Sequence, residues 1–509
     1  MKSTRLAEII GALSIASDLG AGMPAETSLR STVLAVRIGK MLSLTEKELS
    51  GIYYACLLRF IGCSATSVER AAAIKGQDAK VIYAIIMSDW TQPADVEKSL
   101  QRVFNNTLST TIISKIQNTV HHIEHINKLH CKQARILAAK LSLPCDTISL
   151  LNYIYYHRWD GKLLDIGGKE IPLAARIISV AVAAETFHRL GGITTVLDML
   201  INRSGTTLDP ALCKLLQQNI STLLDGDWQT STSHWQIYLD SEPDEPVHIE
   251  QDQLGNLAEA FADYTDQKCG WFLGHSHQVA KLATTAASEA GYSKTECEYV
   301  RLAALFHDIG RVAVANAIWD KPESLTHVER LRAESHSFHT EMILAMVPNL
   351  KSIACIAAST HERADGSGYH HKSAFADPLS SILATADIYN ALTHPRPWRE
   401  ALSNSLAADE LLSESKAARL PAASVDAVLV ASGSTGIKAS AINPGGLTAR
   451  EVEVLIEIAR GLSTKAIAKA LDISPKTADH HIQKIYEKTG TRSRAAAALY
   501  ALEHKIFSQ

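Results

Sequence analysis

The sequence predicts an all-α protein: two tandem helical domains followed by a four-helix C-terminal module. Three observations carry this. Apolar residues recur at i, i+3, i+4 and i+7 in segments such as "HQVAKLATTAASEAG" and "EVEVLIEIARGL", while strand-like alternation is hard to find. Phrases of the first half of the chain return in the second. From Leu447 onward the text changes to short, individually capped helices.

At 509 residues the chain exceeds what one core can organise. Apolar residues make up 46% and charged residues 20%, which describes a soluble globular protein and excludes a disordered one. A net charge of −4 excludes a globally basic nucleic-acid binder, so any DNA contact must be local. The eight cysteines are scattered without C-x-x-C spacing, as for reduced thiols in a cytoplasmic protein. The opening stretch is broken by Glu8 and Asp18 and reads as an amphipathic helix, not a signal peptide. The run from Ile177 to Ala184 is too short to cross a bilayer. A soluble, cytoplasmic protein with no membrane partner is expected. Two stretches read as linkers, the acidic Asp240–Glu250 and the Gly/Ser/Ala-rich Ala431–Gly446. They set expected domains at 1–245, 246–435 and 447–509.

The first two domains read as a duplication. "LTEKELSGIYYACLLRFIG" (Leu44–Gly62) aligns with "YSKTECEYVRLAALFHDIG" (Tyr292–Gly310) at an offset of 248. "IPLAARIISVAVAAETF" aligns with "DPLSSILATADIYNAL" at an offset of 206, and the same offset sets His130 opposite His336. The difference of 42 implies an insertion of that size inside the first copy.

In the second copy, polar residues sit in apolar helical text: His275, His307, Asp308, His336, His361 and Asp387. A buried, unpaired carboxylate costs several kcal/mol. Convergent imidazoles and carboxylates around a transition metal supply the compensation, and a thiolate-free N/O set favours Fe, Mn or Zn. The segment from Gly274 to about Arg399 carries "GHS", "HDIG", a histidine opening a later helix segment, "HExxDGxGY", "xAD" and "RPxR". In these motifs it resembles the HD-GYP branch of the HD metal-dependent phosphohydrolases. The resemblance implies that the six residues are ligands of a one- or two-ion centre acting on a phosphodiester, chiefly cyclic di-GMP. It implies catalytic roles for Asp308, Arg311 and Lys321, and phosphate-facing roles for Arg311, Arg396 and Arg399, whose guanidinium groups suit phosphate oxygens. The chain departs from the pattern at Thr360 (a ligand histidine), Arg311 (a lysine), His370 (the proline of GYP) and Trp271 (a carboxylate in trinuclear members). A three-metal site is therefore not expected. In the first copy Arg59 and Phe60 replace His–Asp, Thr27 faces His275, Ala181 faces Asp387, and tyrosines in "YYHRWDG" replace a ligand histidine. That copy is expected to keep the fold without a metal site. His121, His122 and His125 read as helix-surface residues.

In the C-terminal module, Gly461 ends one helix, Ser463 caps the next, Asp472 to Ser474 turn, and Pro475 opens a third. Residues 447–509 hold ten Lys and Arg against seven Asp and Glu. "LTxRExEVL", "GLSxKxIAxxL", "xISxKTxxxH" and "SRxxAA" resemble the LuxR/NarL-type helix-turn-helix domain along its whole length. The resemblance implies that the helix from Pro475 enters the major groove of double-stranded DNA. It would present Lys476, Thr477, Asp479, His480, Gln483 and Lys484, with Lys465, Arg492 and Arg494 on phosphates. It also implies a homodimer. Ile467, Ala468, Leu471, Ile482 and Ile485 read as the module's core. Together the resemblances imply a DNA-binding regulator whose second domain senses or hydrolyses a phosphodiester, or a phosphodiesterase carrying an accessory DNA module.

Overall fold

The computed structural model describes the chain apart from residues 1–2, 63–77, 90, 110, 112, 115, 117–122, 155–157, 163–165, 225–232, 434–446, 505 and 507–509. His121, His122 and the tyrosines of "YYHRWDG" lie outside the described residues, as does the side chain of His125. Among the described residues the only strands are β1 (Thr4–Arg5) and β2 (His248–Ile249), paired antiparallel; everything else regular is helical. No helix among them is long and apolar enough to cross a membrane. Two compact units divide the described chain near residue 253.

Unit 1 is organised by α1 (Leu6–Gly20), α2 (Thr27–Met41), α3 (Glu46–Leu57), α4 (Asp78–Met87), α5 (Pro93–Val103), α6 (Ile123–Lys140) and α7 (Leu173–Arg203). Helix α7 is broken at Gly191–Gly192, where Gly192 takes a φ of 68° that a side chain would resist. Helices α2, α3 and α7 pack in a mutual triangle, and α4 and α5 lie between Gly62 and His130, the interval that carries the 42 extra residues. The stretch read as an acidic linker is not a bare connector. Its Glu242 accepts from Arg5 Nε at 2.6 Å and from the Tyr54 hydroxyl at 2.6 Å, and its end forms β2.

Unit 2 begins with α8 (Gln251–Asp266), α9 (His275–Glu289), α10 (Lys294–Phe306), α11 (His327–Ala345), α12 (Lys351–Ala358) and α13 (Pro378–Thr393). It continues through α14 (Asn404–Lys416) and α15 (Ala422–Ser432) to a C-terminal set of α16 (Ala449–Ala459), α17 (Thr464–Ala470), α18 (Pro475–Thr489) and α19 (Arg494–Glu503). Helices α9, α10 and α13 repeat the triangle of α2, α3 and α7.

The two copies share caps, turns and close approaches at corresponding positions. Helices α2 and α9 each start after a left-handed residue, Glu26 (φ 67°) and Gly274 (φ 74°), 248 positions apart. A buried aspartate caps each: Asp18 accepts from the Ser28 amide at 3.0 Å, and Asp266 from the Ser276 amide at 2.9 Å. Helices α3 and α10 each begin with a capping box, Thr45/Glu48 and Ser293/Glu296. A Cβ at Gly62 would collide with the carbonyl oxygen of His130, and one at Gly310 with that of His336. Caps and close approaches, independent of any ligand, thus define the shared frame.

Two glycine substitutions should move stability in opposite directions. Gly310→Ala should cost about 1–3 kcal/mol, because the backbone of α11 must retreat. Gly51→Ala, mid-α3 with its nearest atom 3.6 Å away, should add about 0.5–1 kcal/mol. Shifts of the same sign in chemical denaturation would contradict the packing described.

Candidate metal centre

The six polar residues singled out in the second copy meet in one place. His275 is the first residue of α9, aimed inward by the left-handed Gly274. His307 and Asp308 follow the end of α10, at the turn into the Ile309–Ala313 helical turn. His336 lies on α11, His361 just past α12, and Asp387 in the middle of α13. Thr340 Oγ1 donates to the His307 carbonyl at 3.0 Å and accepts from the Gly310 amide at 3.0 Å, which locks the His–Asp turn against α11.

Their donor atoms form two triads, His275/His307/Asp387 and Asp308/His336/His361, each within 4.8 Å of mutual separation. Asp308 joins them. Its Oδ2 lies 3.0 Å from His307 Nε2 and 3.4 Å from His275 Nε2, whereas Oδ1 faces His336 Nε2 at 3.7 Å. Asp387 Oδ1 lies 3.0 Å from His275 Nε2, and its Oδ2 lies 3.9 Å from His361 Nδ1.

Three imidazoles are oriented from behind. His275 Nδ1 donates to Asn390 Oδ1 at 2.8 Å, and Asn390 Nδ2 donates onward to Gln278 Oε1 at 2.9 Å. His307 Nδ1 donates to the Ala304 carbonyl at 2.7 Å, and His336 Nδ1 to that of Ala333 at 2.6 Å. Each pairing leaves Nε2 as a lone-pair donor aimed at the carboxylates, the arrangement of metal-bound histidine. Nε2 of His275, His307, His336 and His361, both Asp308 oxygens and Asp387 Oδ1 are buried without a hydrogen bond. So many convergent orphaned atoms are rare in a folded core, and a hard-to-borderline divalent cation fits the set.

Burial and charge compete at these groups. Burial above all, aided by Arg311 and His307, pushes the His336 imidazole down to about 4, and burial with His336 beside it holds His361 well below its ordinary value. For His307 burial is outweighed by the Asp308 and Asp387 carboxylates, which raise it to about 10. Asp308 is held well below the usual range despite burial, by Arg311 and His307 above all. Asp387 is likewise held down by His275 and His307.

The cations expected at the site divide. Arg311 reaches it, with Nη1 2.8 Å from Asp308 Oδ2 and its guanidinium 4.0 Å above the Phe272 ring. Arg396 is buried beside it, 4.6 Å above the same ring, donating from Nη1 to the Trp271 carbonyl at 2.6 Å; burial pushes it down to about 10. The described contacts of the other two lie elsewhere. Lys321 pairs with Glu329 at 2.7 Å, inside the cap of α11. Arg399 donates to the Leu392, Glu400 and Ala391 carbonyls around the end of α13. Thr360 donates its hydroxyl to the Ala357 carbonyl at 2.7 Å, and Trp271 packs in an apolar cluster with Phe272 and Trp319. Asn390 and Gln278 were missed in the sequence. Both sit one helical turn from a ligand on the same face, the signal that would have found them.

In the C-terminal module Leu447, Val454, Leu455, Ile458, Ile467, Ala468, Ile482 and Ile485 are buried together, with Leu471 partly buried against them. Lys465, Lys476, Thr477, Asp479, His480, Gln483, Lys484 and Arg492 are exposed. Arg494 is half-buried, and it donates to the Leu462 carbonyl at 2.6 Å and to Thr464 Oγ1 at 2.8 Å, which ties α19 to the start of α17. Within unit 2 the module touches the metal-site domain. A Cβ at Gly270 would collide with the backbone of Arg460, and Leu273 packs against the module's core.

Comparison with known proteins accords with both parts. Residues 259–421 match the family model described as HD domain, and residues 446–501 that of bacterial regulatory proteins, luxR family. A 3'3'-cGAMP-specific phosphodiesterase 3 of Vibrio cholerae is 28% identical over 420 residues, 78% of this chain and 88% of that protein. A cyclic di-GMP phosphodiesterase of Thermotoga maritima is 34% identical over 25% of this chain and 35% of its own length. A probable transcriptional regulatory protein NarL of Mycobacterium tuberculosis is 47% identical over 60 residues, 12% of this chain and 28% of its own length. Among solved structures, a cyclic GMP-AMP specific phosphodiesterase of V. cholerae superposes with a TM-score of 0.59 at 23% identity, covering 85% of this chain and 99% of its own. That likeness concerns the fold, and it extends well beyond the matched HD domain. On these grounds the chain contains an HD domain within residues 259–421 and a luxR-family regulatory domain within residues 446–501.

Proposed function

We propose that this protein is a DNA-binding transcriptional regulator whose HD domain binds divalent metal and senses or hydrolyses a cyclic dinucleotide. The observation that carries the metal reading is Asp308, whose two oxygens face two separate histidine triads. Two ions of Fe, Mn or Zn suit this donor set. Ions held there would supply Lewis acidity toward a phosphodiester and a nucleophile at neutral pH. The chain's own residues then have separate tasks. The four imidazoles and two carboxylates hold the charge. Asn390, Ala304 and Ala333 fix the tautomers of three rings. Arg311 and Arg396 bring two cations to the rim over Phe272, placed to receive phosphate oxygens. The ligand class is supported by the relatives named as cyclic-dinucleotide phosphodiesterases.

A second reading, a phosphodiesterase with an accessory DNA module, is favoured by that same kinship over most of the chain's length. The regulator reading is favoured by the module's exposed groove-facing residues together with its contact at Gly270. Trp271, next in sequence, holds Arg396 through its carbonyl. A ligand phosphate that draws Arg396 therefore acts one peptide away from the module.

The six-residue centre of purified protein should hold about two equivalents of transition metal per chain, and the double variant His307→Ala/Asp308→Ala should lose those two together with any turnover of a cyclic-dinucleotide panel. Wild-type protein without metal would refute the site. Retained metal with no turnover of any member, but with tight binding of one, would select sensing over hydrolysis.

Lys484→Ala should weaken DNA binding and lower the slope of log K against log salt by about one phosphate. An unchanged slope would remove Lys484 from the interface. If the Gly270 contact transmits occupancy, Gly270→Val should abolish any ligand-dependent change in DNA affinity, of order 5–150-fold in coupled systems, while leaving affinity for DNA itself in place. Coupling of wild-type size in Gly270→Val would show that the signal travels elsewhere.

A further inference from the structure

A second group of metal-ligating side chains stands outside the six-residue cluster. Glu341 lies on α11, five residues after His336 and so on another face of that helix. His370 and His371 close the loop that begins at His361. His370 Nε2 lies 2.8 Å from Glu341 Oε2, and His371 Nε2 lies 3.1 Å from the same oxygen. The two ring centroids lie 4.0 Å apart with their planes at 37°. All three donors fall within 4.8 Å of one another.

From this convergence we infer a separate transition-metal site, formed by Glu341, His370 and His371 and suited to Zn²⁺. Two imidazoles and a carboxylate are a borderline donor set that zinc takes with bonds of about 2.0–2.2 Å. Bonds of that length in a tetrahedron separate the donors by about 3.3 Å. The observed 2.8 and 3.1 Å need only a small outward adjustment. The side chains of Glu341 and His371 are 37% and 47% exposed, which gives an ion an entry path and leaves a vertex for water. His370 is 16% exposed and anchors the inner side.

The location gives such an ion a structural consequence. The loop is folded tightly on itself: the Glu362 carboxylate accepts from the His371 amide at 2.7 Å and the Ser373 amide at 3.2 Å. Tyr369, next to His370, stacks on His361 with centroids 4.9 Å apart and planes 12° from parallel. Zinc at Glu341/His370/His371 cross-links this loop, which carries His361, to the helix that carries His336. It would therefore staple together two walls of the central cluster without contributing a ligand to it.

The test uses the full chain with the central cluster disabled, His307→Ala/Asp308→Ala, titrated with Zn²⁺ by calorimetry. One equivalent should remain, and adding His371→Ala, an exposed position, should weaken it at least tenfold. His248→Ala, an exposed histidine of unit 1, should leave it unchanged. Co²⁺ in the same site should give a tetrahedral visible spectrum that His371→Ala abolishes. If the disabled double variant folds poorly, His371→Ala alone should lower the zinc content of wild-type protein by one equivalent. No zinc in the double variant, or zinc indifferent to His371, overturns the site.

Discussion

Two carboxylates buried in the middle of a helical bundle set the terms for unit 2. Asp308 and Asp387 are almost entirely withdrawn from solvent, and an isolated charge so placed would cost many kcal/mol. Their compensation is geometric. Imidazoles from α9, the α10 turn, α11 and the segment after α12 all converge on them, and Arg311 approaches from the rim. Much of the surrounding structure serves this convergence. Gly274 permits the left-handed turn that aims His275. Gly310 allows α11 to close on the His–Asp turn, and Thr340 pins that turn on both sides. Asn390, held by Gln278, fixes the ring of His275.

The first copy shows what the same frame becomes when the buried charges are removed. Phe60, at the position of Asp308, packs with Ala21 and Met23, and Ala181, at the position of Asp387, is fully buried. Thr27, at the position of His275, turns its hydroxyl back to the Pro24 carbonyl. Yet the Asp18–Ser28 cap, the Thr45/Glu48 box and the Gly62 approach remain in register with their counterparts. Where Gln278 supports a ligand in the second copy, Arg30 instead meets Glu185 at 3.0 Å. A paired charge has taken the place of a polar orienting network. The frame is therefore stabilised by caps and packing that do not depend on the six candidate ligands, which only the second copy carries.

How much was legible in the sequence follows from what each feature requires. The six candidate ligands were visible because polar residues in apolar helical text demand an explanation, and a duplicated copy without them supplied the contrast. Helix starts were visible because capping is local, as at Ser293/Glu296 and Ser463. Long-range pairing was not. Nothing near Glu242 announces Arg5 and Tyr54, so the segment read as a linker. Lys321 and Arg399 were assigned by motif position, but a flexible cation takes whichever acceptor lies closest, here Glu329 and the end of α13. The pairing of Glu341 with His370 and His371 spans about thirty residues and appears only when the loop folds back.

The contact at Gly270 bears on which activity the architecture favours. Arg396 donates from Nη1 to the Trp271 carbonyl, Trp271 adjoins Gly270, and Gly270 admits the backbone of Arg460 at the end of α16. Arg396 is also stacked over Phe272 beside Arg311, where an anion at the centre would compete for the same Nη1 donor. A contact that a bound anion would weaken is the differential interaction that any ligand-driven shift requires. Lys476, Thr477, Asp479, His480, Gln483 and Lys484 of α18 are exposed. If Arg396 takes a ligand phosphate as proposed, a pure hydrolase gains nothing from placing the C-terminal module one peptide from it. A sensor needs such a link, whether or not its centre also turns the ligand over.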